Sequence, residues 1–525
     1  MRTRRQGPAA PTKRTLAVAL VTALAAATTL VACGTQEEQG RGTAAPKASA
    51  AAAAEWTPVA GLPLTSPKQI YSRNGVLRVT LEAKRGAVEV SGAQVTAQSF
   101  NGNLVGPTLH VRPGDTLDVT FKNQTDQDTN IHYHGLHVRP TGISDNVFRI
   151  FTPGRTVRSI VKLPSDHAAG TLWYHAHLHG LTEGQVMGGM SGLLIVEGLN
   201  RLLPRPLRRI TERQLAIRNV QTSGDAVVDE GRNVSGQTPG PLTINGLLMP
   251  RFSIRSGETQ LWRLANIGPD IFYDVALPGT TFTVVAEDGT PVWTTFKTDH
   301  LVLDPGKRYD VLVQGGRPGT YTLETRKYGG GFNRPRRDLA TVTVTGPQAP
   351  RSAYARLPKS IDTPSTPIGR MPVARRRKFV FTFGTSRTGG FEALINNQMF
   401  RDGVNNVVPI LGTVEEWKLV NRSDEEHPFH IHVNDFQVMS VNGRPYHARG
   451  LQDIVTIPVG GNVVIRNPFR DFTGHFVFHC HILGHEDAGM MQTVDVIRRG
   501  ERPTPPPLMH GGHDGMEGME GMDGM

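Results

Sequence analysis

The chain has 525 residues, with 57 Lys or Arg against 46 Asp or Glu, which gives a net charge of +11. Only two residues are Cys, so a framework of disulfides is excluded. Apart from a basic run at residues 375–378, the charges are scattered. They lack interleaved aromatic residues and a known nucleic-acid-binding motif, so we expect no nucleic-acid partner.

The N-terminal segment has the pattern of an export signal. Residues 1–14 hold five basic residues and no acidic residue, and residues 15–32 are small or apolar. Residues 30–33 (Leu-Val-Ala-Cys) resemble the bacterial lipobox, which predicts cleavage before Cys33 and attachment of a lipid to it. An ordinary secretory signal with an incidental Cys is the alternative for residues 1–32.

The next segment, residues 33–65, is rich in Ala and shows no apolar periodicity, which predicts a tether. No other apolar run is long enough to span a membrane as a helix. We therefore expect an exported protein, held by its lipid on the outer face of the bacterial cytoplasmic membrane.

Three later stretches share one order of features: an Asn turn, a strand, a Gly-centred hairpin and a second strand ending in Asn. They lie at residues 101–123, 244–268 and 395–423. Alternating apolar residues between frequent Gly, Pro and Asp clusters are typical of antiparallel sandwiches. The sequence therefore predicts an all-β protein with three tandem sandwich domains. The expected boundaries are 66–198 for domain one, 204–346 for domain two, 347–375 for an irregular linker, 376–498 for domain three and 499–525 for a disordered tail.

Paired histidines are the strongest chemical signal. Nineteen His residues form five His-x-His pairs, where chance placement predicts fewer than one. All five pairs lie in the first and third domains, while the interval between residues 200 and 375 holds only His300. A site built from these pairs requires domains one and three to meet. Domain two is then expected to serve as a spacer or brace.

The densest motif, HCHILGHEDAGM, combines a thiol, three imidazoles and a thioether. A thiolate, two imidazoles and a weak axial thioether make a blue-copper electron-transfer centre. The matching residues here are Cys480, His427, His485 and Met490. Met491 is the alternative thioether. A zinc knuckle is the alternative site, although structural zinc generally uses more Cys than the single one available.

A second cluster of ligands is expected beside the first. In an extended strand His479 and His481 face the side opposite to Cys480, so one strand links two sites. Eight imidazoles suffice for three copper ions, and the lack of clustered carboxylates argues against calcium or magnesium. His179 follows at the same spacing, and we favour a place outside the ligand set for it. The eight paired residues are His132, His134, His175, His177, His430, His432, His479 and His481.

The segments HYHG, WYHAH, HPFHIH and HCHILGHEDAGM resemble the four copper-binding motifs of multicopper oxidases. This family includes laccases, bilirubin oxidases and bacterial copper-efflux oxidases. The resemblance covers about residues 66–498 and implies three cupredoxin-like Greek-key domains with four copper ions. It implies type 1 ligands His427, Cys480, His485 and Met490; type 2 ligands His132 and His430; and type 3 ligands His134, His175, His177, His432, His479 and His481.

The resemblance also implies a mechanism. Electrons enter one at a time, pass from Cys480 to His479 and His481, and reduce dioxygen to water. Asp145 and Glu486 resemble the family's acids near the cluster, which makes them candidate proton donors.

The electron donor is less well specified. We favour a laccase-like range of phenols and aromatic amines, in a monomeric enzyme. A cuprous or other metal-ion oxidase for copper tolerance is the alternative, supported by five Met and two His in residues 509–525. The acids at 424–426 suit either donor, and a Met-rich insertion between His432 and Cys480 is absent from the sequence. A non-catalytic envelope copper-binding protein is a third reading.

Overall fold

The computed structural model describes residues 56–228, 240–332 and 334–509. The predicted export signal (1–32), the lipid site at Cys33, most of the predicted tether and residues 510–525 of the tail lie outside the described residues. Within the described part of the chain, no helix has both the length and the apolar character needed to cross a membrane. About 49% of the structure is strand and 5% is helix, so the predicted all-β class is confirmed.

The first sandwich arises from strands whose residues alternate between core and solvent; in its second strand Leu77, Val79 and Leu81 are buried while Arg78 and Thr80 are exposed. Its strands are β1 Gln69–Tyr71, β2 Val76–Val90, β3 Ala93–Phe100, β4 Gly106–Val111, β5 Thr116–Gln124, β6 Thr156–Lys162, β7 Gly170–His175 and β8 Ser191–Val196. Sheet β1-β4-β8-β7 packs on sheet β3-β2-β5-β6. Helix α1 Thr182–Gly188 lies between β7 and β8, and helix α2 Leu199–Leu202 and a 3₁₀ turn Arg205–Leu207 follow.

The second sandwich has its own apolar core between two sheets. Its strands are β9 Glu212–Asn219, β10 Thr222–Ser223, β11 Ala226–Val227, β12 Leu242–Ile244, β13 Leu247–Leu248, β14 Arg251–Arg255, β15 Thr259–Asn266, β16 Tyr273–Ala276, β17 Phe282–Glu287, β18 Thr290–Thr298, β19 His300–Leu303, β20 Arg308–Gln314, β21 Gly319–Thr325 and β22 Arg337–Thr345. Sheet β13-β12-β9-β15-β20-β17-β18 faces sheet β14-β22-β21-β16-β19. The short pair β10-β11 instead extends the first sandwich by pairing with β3.

The third sandwich carries the Cys-containing motif. Its elements are β23 Val373–Thr385, β24 Phe391–Ile395, β25 Thr413–Asn421, β26 His427–Ile431, β27 Gln437–Val441, β28 Arg444–Pro445, β29 Ile454–Ile457, β30 Asn462–Phe469, β31 Gly474–Cys480, α3 Leu483–Asp487 and β32 Met491–Val496. Sheet β24-β23-β25-β30-β27-β28 packs on sheet β29-β26-β31-β32. In the second of these sheets β26 and β31 lie side by side, which places two ligand-bearing segments in contact.

Described segments on both sides of the body pack against it outside the predicted domain ranges. The tether was expected to run to residue 65, but Leu64 donates its backbone N–H to Arg251 and packs on the second core, while Val59 donates to Ser91. The disordered tail was expected to begin at residue 499. Residues 499–509 are described, and Met509 is buried and donates its N–H to Asp402. Apolar side chains at both ends of the body are buried against it, which extends the folded region at each end.

The segment between β22 and β23, which contains most of the predicted linker, is packed against the second sandwich. It contains a single 3₁₀ turn, Arg351–Ala353, among the described residues between β22 and β23. Trp293 donates its indole N–H to the Ser365 carbonyl, and Thr295 donates its backbone N–H to Lys359. The linker therefore lies along an edge of the second sandwich.

Candidate metal centre

All eight paired histidines lie together in a buried pocket where the first and third sandwiches meet. Each side chain is at most 2% exposed. The Nε2 atoms of His177 and His479 are 3.2 Å apart, and that of His432 lies 3.2 and 3.4 Å from them. On the other side, His481 Nε2 lies 3.2 Å from the Nδ1 atom of His134. Three further rings, those of His132, His175 and His430, contact these groups.

Strand register explains this convergence. In the pairing of β26 with β31, His430 stands opposite His479, and Phe429 stands opposite Cys480. In the first sandwich, His132 and His175 exchange backbone hydrogen bonds of 2.9 and 3.0 Å. Each pair thus has a fixed backbone position, and the contact between the two sandwiches brings the pairs together.

The pocket holds neutral imidazoles. Burial lowers the pKa of each of the eight, and neighbouring histidines lower most of them further; for His177 and His479 the pKa falls to about 4. His175 Nδ1 donates to the Ala176 carbonyl at 2.8 Å and His430 Nδ1 donates to the Asp453 carbonyl at 2.9 Å. Each proton is thereby held on one nitrogen, and the other nitrogen keeps a lone pair.

Those lone pairs are the test of whether a metal fits. The Nε2 atoms of His132, His175 and His430 are buried and have no hydrogen-bond partner. Buried polar atoms normally find one, so unpartnered atoms of this kind need an explanation. Groups of three donor atoms lie within 4.8 Å of one another in several combinations of these residues. Neutral imidazole nitrogens are good ligands for copper, so the residues present fit that ion.

A second group of donors surrounds Cys480, which is fully buried in the third core. Its Sγ atom lies 3.5 Å from His427 Nδ1 and 3.8 Å from His485 Nδ1. Ser423 Oγ lies 2.7 Å from His427 Nε2, so Nδ1 is the nitrogen turned toward the sulfur. Burial raises the pKa of the Cys480 thiol well above its ordinary value. A bound cation reverses this effect, because a coordinating thiol is deprotonated.

The two Met residues beside this group are placed differently. Met490 lies in the same apolar cluster as Cys480, and its carbonyl accepts the Cys480 N–H at 3.0 Å. Met491 points into a separate cluster with Leu178 and Met509. His179 packs on Phe400 and belongs to none of the possible metal groups among the described residues.

Two predicted acids lie against the histidine pocket. Asp145 Oδ1 is 3.1 Å from His132 Nδ1 and accepts the Tyr133 N–H at 3.0 Å. The Glu486 oxygens lie 3.5 Å from His177 Nδ1 and 3.0 Å from His479 Nδ1. Burial raises the pKa of Asp145 to about 8 and that of Glu486 to about 7. At pH 7 Asp145 is therefore mostly protonated, and Glu486 is protonated in about half of the molecules.

Three contributors were missed by sequence reasoning. Asp453 contacts the pocket from β29's preceding loop, with an oxygen 3.5 Å from His134 Nε2. Arg308 of the second sandwich binds that carboxylate with two hydrogen bonds of 2.7 Å. Trp173 stacks on His175 with ring centroids 4.2 Å apart. Only Trp173, inside the WYHAH motif, had a local signal; the other two are isolated charged residues far from any pair.

His485 is the member of the Cys480 group that lies next to partly exposed side chains. Its Nε2 atom lies 3.3 Å from Glu425 Oε2, and the Glu425 side chain is 24% exposed. The rings of Phe383 and Phe391 lie 5.0 and 5.9 Å from the His485 ring. Phe391 is 45% exposed, an unusual fraction for so large an apolar side chain. A partly apolar and partly acidic surface therefore lies directly over His485.

Comparisons with known proteins agree along the whole body. Three family models, each described as multicopper oxidase, match residues 82–201, 208–346 and 370–499. A multicopper oxidase of Staphylococcus haemolyticus is 26% identical over 440 residues, covering 81% of this chain and 89% of that protein. A laccase of Bacillus subtilis is 26% identical, covering 76% of this chain and 89% of its own length.

Solved structures show the same architecture. The laccase-like multicopper oxidase CueO from Ochrobactrum sp. superposes with a TM-score of 0.71 at 27% identity, covering 83% of this chain and 100% of that one. A multicopper oxidase from Campylobacter jejuni superposes with a TM-score of 0.73 at 24% identity, covering 83% and 96%. At 24% identity, the likeness to the Campylobacter jejuni protein shows the fold alone.

Proposed function

This chain belongs to the multicopper oxidase family, and on that basis we propose that it is a laccase-like enzyme that oxidises phenols and aromatic amines. Four one-electron oxidations would supply the four electrons that, with four protons, convert one dioxygen to two waters. The observation that carries the proposal is the single segment in which Cys480 lies in the third core while His479 and His481 enter the histidine pocket.

The proposal includes four copper ions with the predicted ligands. His427, Cys480 and His485 form the thiolate group, with Met490 as the neighbouring thioether. The unpartnered Nε2 atoms of His132 and His430 support a type 2 ion between them. The type 3 pair is assigned to two sets of three. His177, His432 and His479 converge through their Nε2 atoms, and His134, His175 and His481 form the second set.

Copper bound at these groups would supply the one-electron redox chemistry that no side chain here provides alone. The protein's own contributions are orientation and protons. Asp145 holds the Nδ1 side of His132, and Glu486 faces the Nδ1 atoms of His177 and His479. Because burial raises the pKa of Asp145 to about 8 and that of Glu486 to about 7, each carboxyl exchanges a proton near neutral pH and is able to donate it toward the pocket.

The surface over His485 supports an aromatic donor. Phe391 and Phe383 offer ring faces for stacking, and Glu425 is placed to accept a phenol or amine proton as the electron leaves. The Ochrobactrum relative is described as having oxidase activity towards lignin model compounds and lignosulfonate, which agrees with this donor class.

A cuprous-ion donor is the second candidate, favoured by the position at which the tail begins. Met509 is buried, and its N–H bonds to Asp402 in the segment that contains Phe400. Phe400 in turn donates its N–H to the Gly489 carbonyl, one residue before Met490. Met509, which directly precedes the Met/His-rich residues 510–525 in the sequence, therefore lies near the segment that carries Met490, and thioethers favour Cu(I).

Two variants separate these donors. Phe391→Ala is expected to lower kcat/KM for a phenol about fivefold and leave that for Cu(I) unchanged, because a stacking contact contributes about 1 kcal/mol. Deleting residues 510–525 is expected to change kcat/KM for neither donor by more than about twofold if the aromatic proposal holds. A larger loss for Cu(I) alone would favour the metal-ion oxidase. Tyr71→Ala, at an exposed aromatic of the first sandwich, is the control.

Cys480→Ser tests the family-level chemistry. The variant should fold, lose the intense blue absorption and lose oxidase activity with every donor, because a hydroxyl cannot replace a thiolate in this role. A Cys480→Ser protein that is blue and active would refute the site. Copper analysis of the loaded wild-type protein should give four ions per chain.

Export and lipid attachment complete the proposal. The relatives include laccases and a protein named cell division protein FtsP, 27% identical over 430 residues. Radiolabelled palmitate should enter the wild-type chain and not a Cys33→Ser chain. Incorporation in neither would leave an ordinary secreted enzyme, and incorporation in both would mean that the lipid is attached at another residue. We propose that the body acts as a monomer, which size-exclusion chromatography with light scattering would test.

A further inference from the structure

The middle sandwich contributes a buried ion pair to the histidine pocket. Arg308, at the start of β20, is fully buried, and its Nη1 and Nη2 atoms donate to the two oxygens of Asp453 at 2.7 Å each. The same guanidinium donates to the carbonyls of Gly306 and Thr171 at 3.0 and 3.3 Å. Burial alone would lower the pKa of Arg308, but Asp453 and Asp288 raise it, so the guanidinium stays charged.

Asp453 touches two histidines from two different sandwiches. Its side-chain oxygen lies 3.5 Å from His134 Nε2, and its backbone carbonyl accepts a hydrogen bond from His430 Nδ1 at 2.9 Å. His134 therefore presents Nδ1 to the pocket, where it lies 3.2 Å from His481 Nε2. His430 presents its unpartnered Nε2. One residue thus lies against the outer nitrogen of each of these two rings, with a hydrogen bond to His430 and a close contact to His134.

We propose that Arg308 is a positioning residue for the copper pocket, acting through Asp453 on His134 and His430. The inference rests on the proposed function, since it assigns a role to Arg308 in holding copper ligands. Carboxylates that hold the outer nitrogen of a metal-ligating His fix its tautomer and ring orientation, and their loss typically costs tenfold to a hundredfold in metal affinity. Here the Asp453 carboxylate is itself held by Arg308 of the second domain, which contains no proposed ligand.

The backbone around the pair is built to admit it. Gly135, next to His134, has φ +87°, and a Cβ there would lie 2.5 Å from Arg308 Nη2 and 2.8 Å from Asp453 Oδ2. Any larger residue at 135 would push the pair away from the ring. The Gly of the HYHG motif is therefore needed for steric reasons, because it leaves room in the first sandwich for the Arg308–Asp453 pair of the other two sandwiches.

A neighbouring set of contacts fixes the same segment to the second sandwich. Lys307 Nζ donates to the Ile454 carbonyl at 3.2 Å and to Asp288 Oδ2 at 2.8 Å. Asp288 also accepts the backbone N–H groups of Arg308 and Ile454, each at 3.3 Å. With both backbone and side chain held, Asp453 has little freedom, as an orienting group requires.

The test compares conservative variants with a matched control. Arg308→Lys keeps the positive charge and loses the planar guanidinium that makes two parallel hydrogen bonds to Asp453. Asp453→Asn keeps the size of the side chain and the backbone carbonyl. The control is Arg263→Lys. Arg263 is another fully buried Arg of the second sandwich, bonded to Asp310 at 3.0 Å and to Glu212 at 2.9 Å, with no proposed ligand in contact. All three full-length proteins are loaded with copper and dialysed against graded chelator.

Copper per chain, the blue absorption of the Cys480 group and the electron paramagnetic resonance spectrum are measured. For Arg308→Lys and Asp453→Asn we expect a tenfold to hundredfold weaker Kd for copper in the histidine pocket and an altered resonance spectrum, with blue absorption retained. Arg263→Lys should behave as wild type in all three measurements. Wild-type affinity and spectrum in both Arg308→Lys and Asp453→Asn, or an equal copper loss in Arg263→Lys, would overturn the inference.

Failure of the proposed function would look different. A wild-type protein that binds copper in the pocket but oxidises no donor refutes the oxidase and leaves the affinity comparison decisive for Arg308. A wild-type protein that binds no copper in the pocket overturns both.

Discussion

Asp487 joins the first and third sandwiches, and its removal should loosen the contact on which the metal pocket depends. Its Oδ1 atom accepts the N–H groups of Gly180 and Thr182 at 2.7 and 3.2 Å, and Oδ2 accepts that of Glu183 at 2.8 Å. These amides open helix α1, where N–H groups have no partner within the helix. Asp487 closes helix α3, so one carboxylate from the third sandwich caps a helix of the first.

The size of the effect follows from these three bonds. Burial and the nearby Glu486 raise the pKa of Asp487 to about 7, so the comparison is made at pH 8, where Asp487 is mostly ionised. Loss of a capping side chain costs about 0.5–2 kcal/mol, and a bond to a charged acceptor contributes about 1.5–3 kcal/mol. Because water replaces part of the loss at a partly exposed site, we expect about 3 kcal/mol for Asp487→Ala. Asp487→Asn retains one oxygen and should cost about half as much. With ~2.1 cal/mol/K per residue over about 440 described residues, 3 kcal/mol corresponds to a fall in Tm of about 3 °C.

Differential scanning calorimetry of the copper-free and copper-loaded proteins measures this shift. Asp126→Ala, at an exposed position of the first sandwich, is the control for loss of an Asp. We expect the order wild type, Asp487→Asn, Asp487→Ala in falling Tm, and faster copper loss from the two variants. A Tm within 0.5 °C of wild type for Asp487→Ala, or an equal fall in the control, would show that the carboxylate does not join the sandwiches.

Three further changes probe the pocket. Because Glu486 must be protonated to donate, kcat at saturating donor should fall as pH rises through about 7. Glu486→Gln should lower kcat about a hundredfold and remove this fall with pH. A pH profile unchanged by the substitution would exclude the proposed role of Glu486. Gly306 has φ +83°, and a Cβ there would lie 3.0 Å from His481 Nε2 and 2.6 Å from Ile454. Gly306→Ala should therefore lower both the copper content per chain and Tm. Full copper loading of this variant would contradict the expected clash. Removing copper with a chelator should lower Tm by about 4 °C for each ion held at a thousandfold excess over its Kd, and an identical Tm would mean that the unpartnered nitrogens do not bind copper.

The fold class was predictable because it depends on local pattern. Alternation such as that of Leu77, Val79 and Leu81 is set by the two-residue period of a strand, and it holds wherever the strand is placed. The same period put Cys480 and His479 on opposite faces of one strand before any partner was known. The three repeats carried the domain count in the same way. The two ends of the folded body were harder to predict, because the packing of Leu64 and Met509 depends on surfaces formed elsewhere in the chain.

The candidate site likewise combines features that the local sequence sets with features that only tertiary contacts set. The sequence alone determined the donor types, since clustered imidazoles, one thiol and a thioether favour copper whatever the fold. Only the tertiary structure decided which nitrogen each ring presents, that Asp453 and Asp487 serve the pocket and its seam, and that Arg308 reaches it from the middle domain. Those contacts join residues more than a hundred positions apart. Spacing along a strand is fixed by backbone geometry, whereas such meetings depend on how three separately formed sandwiches pack together.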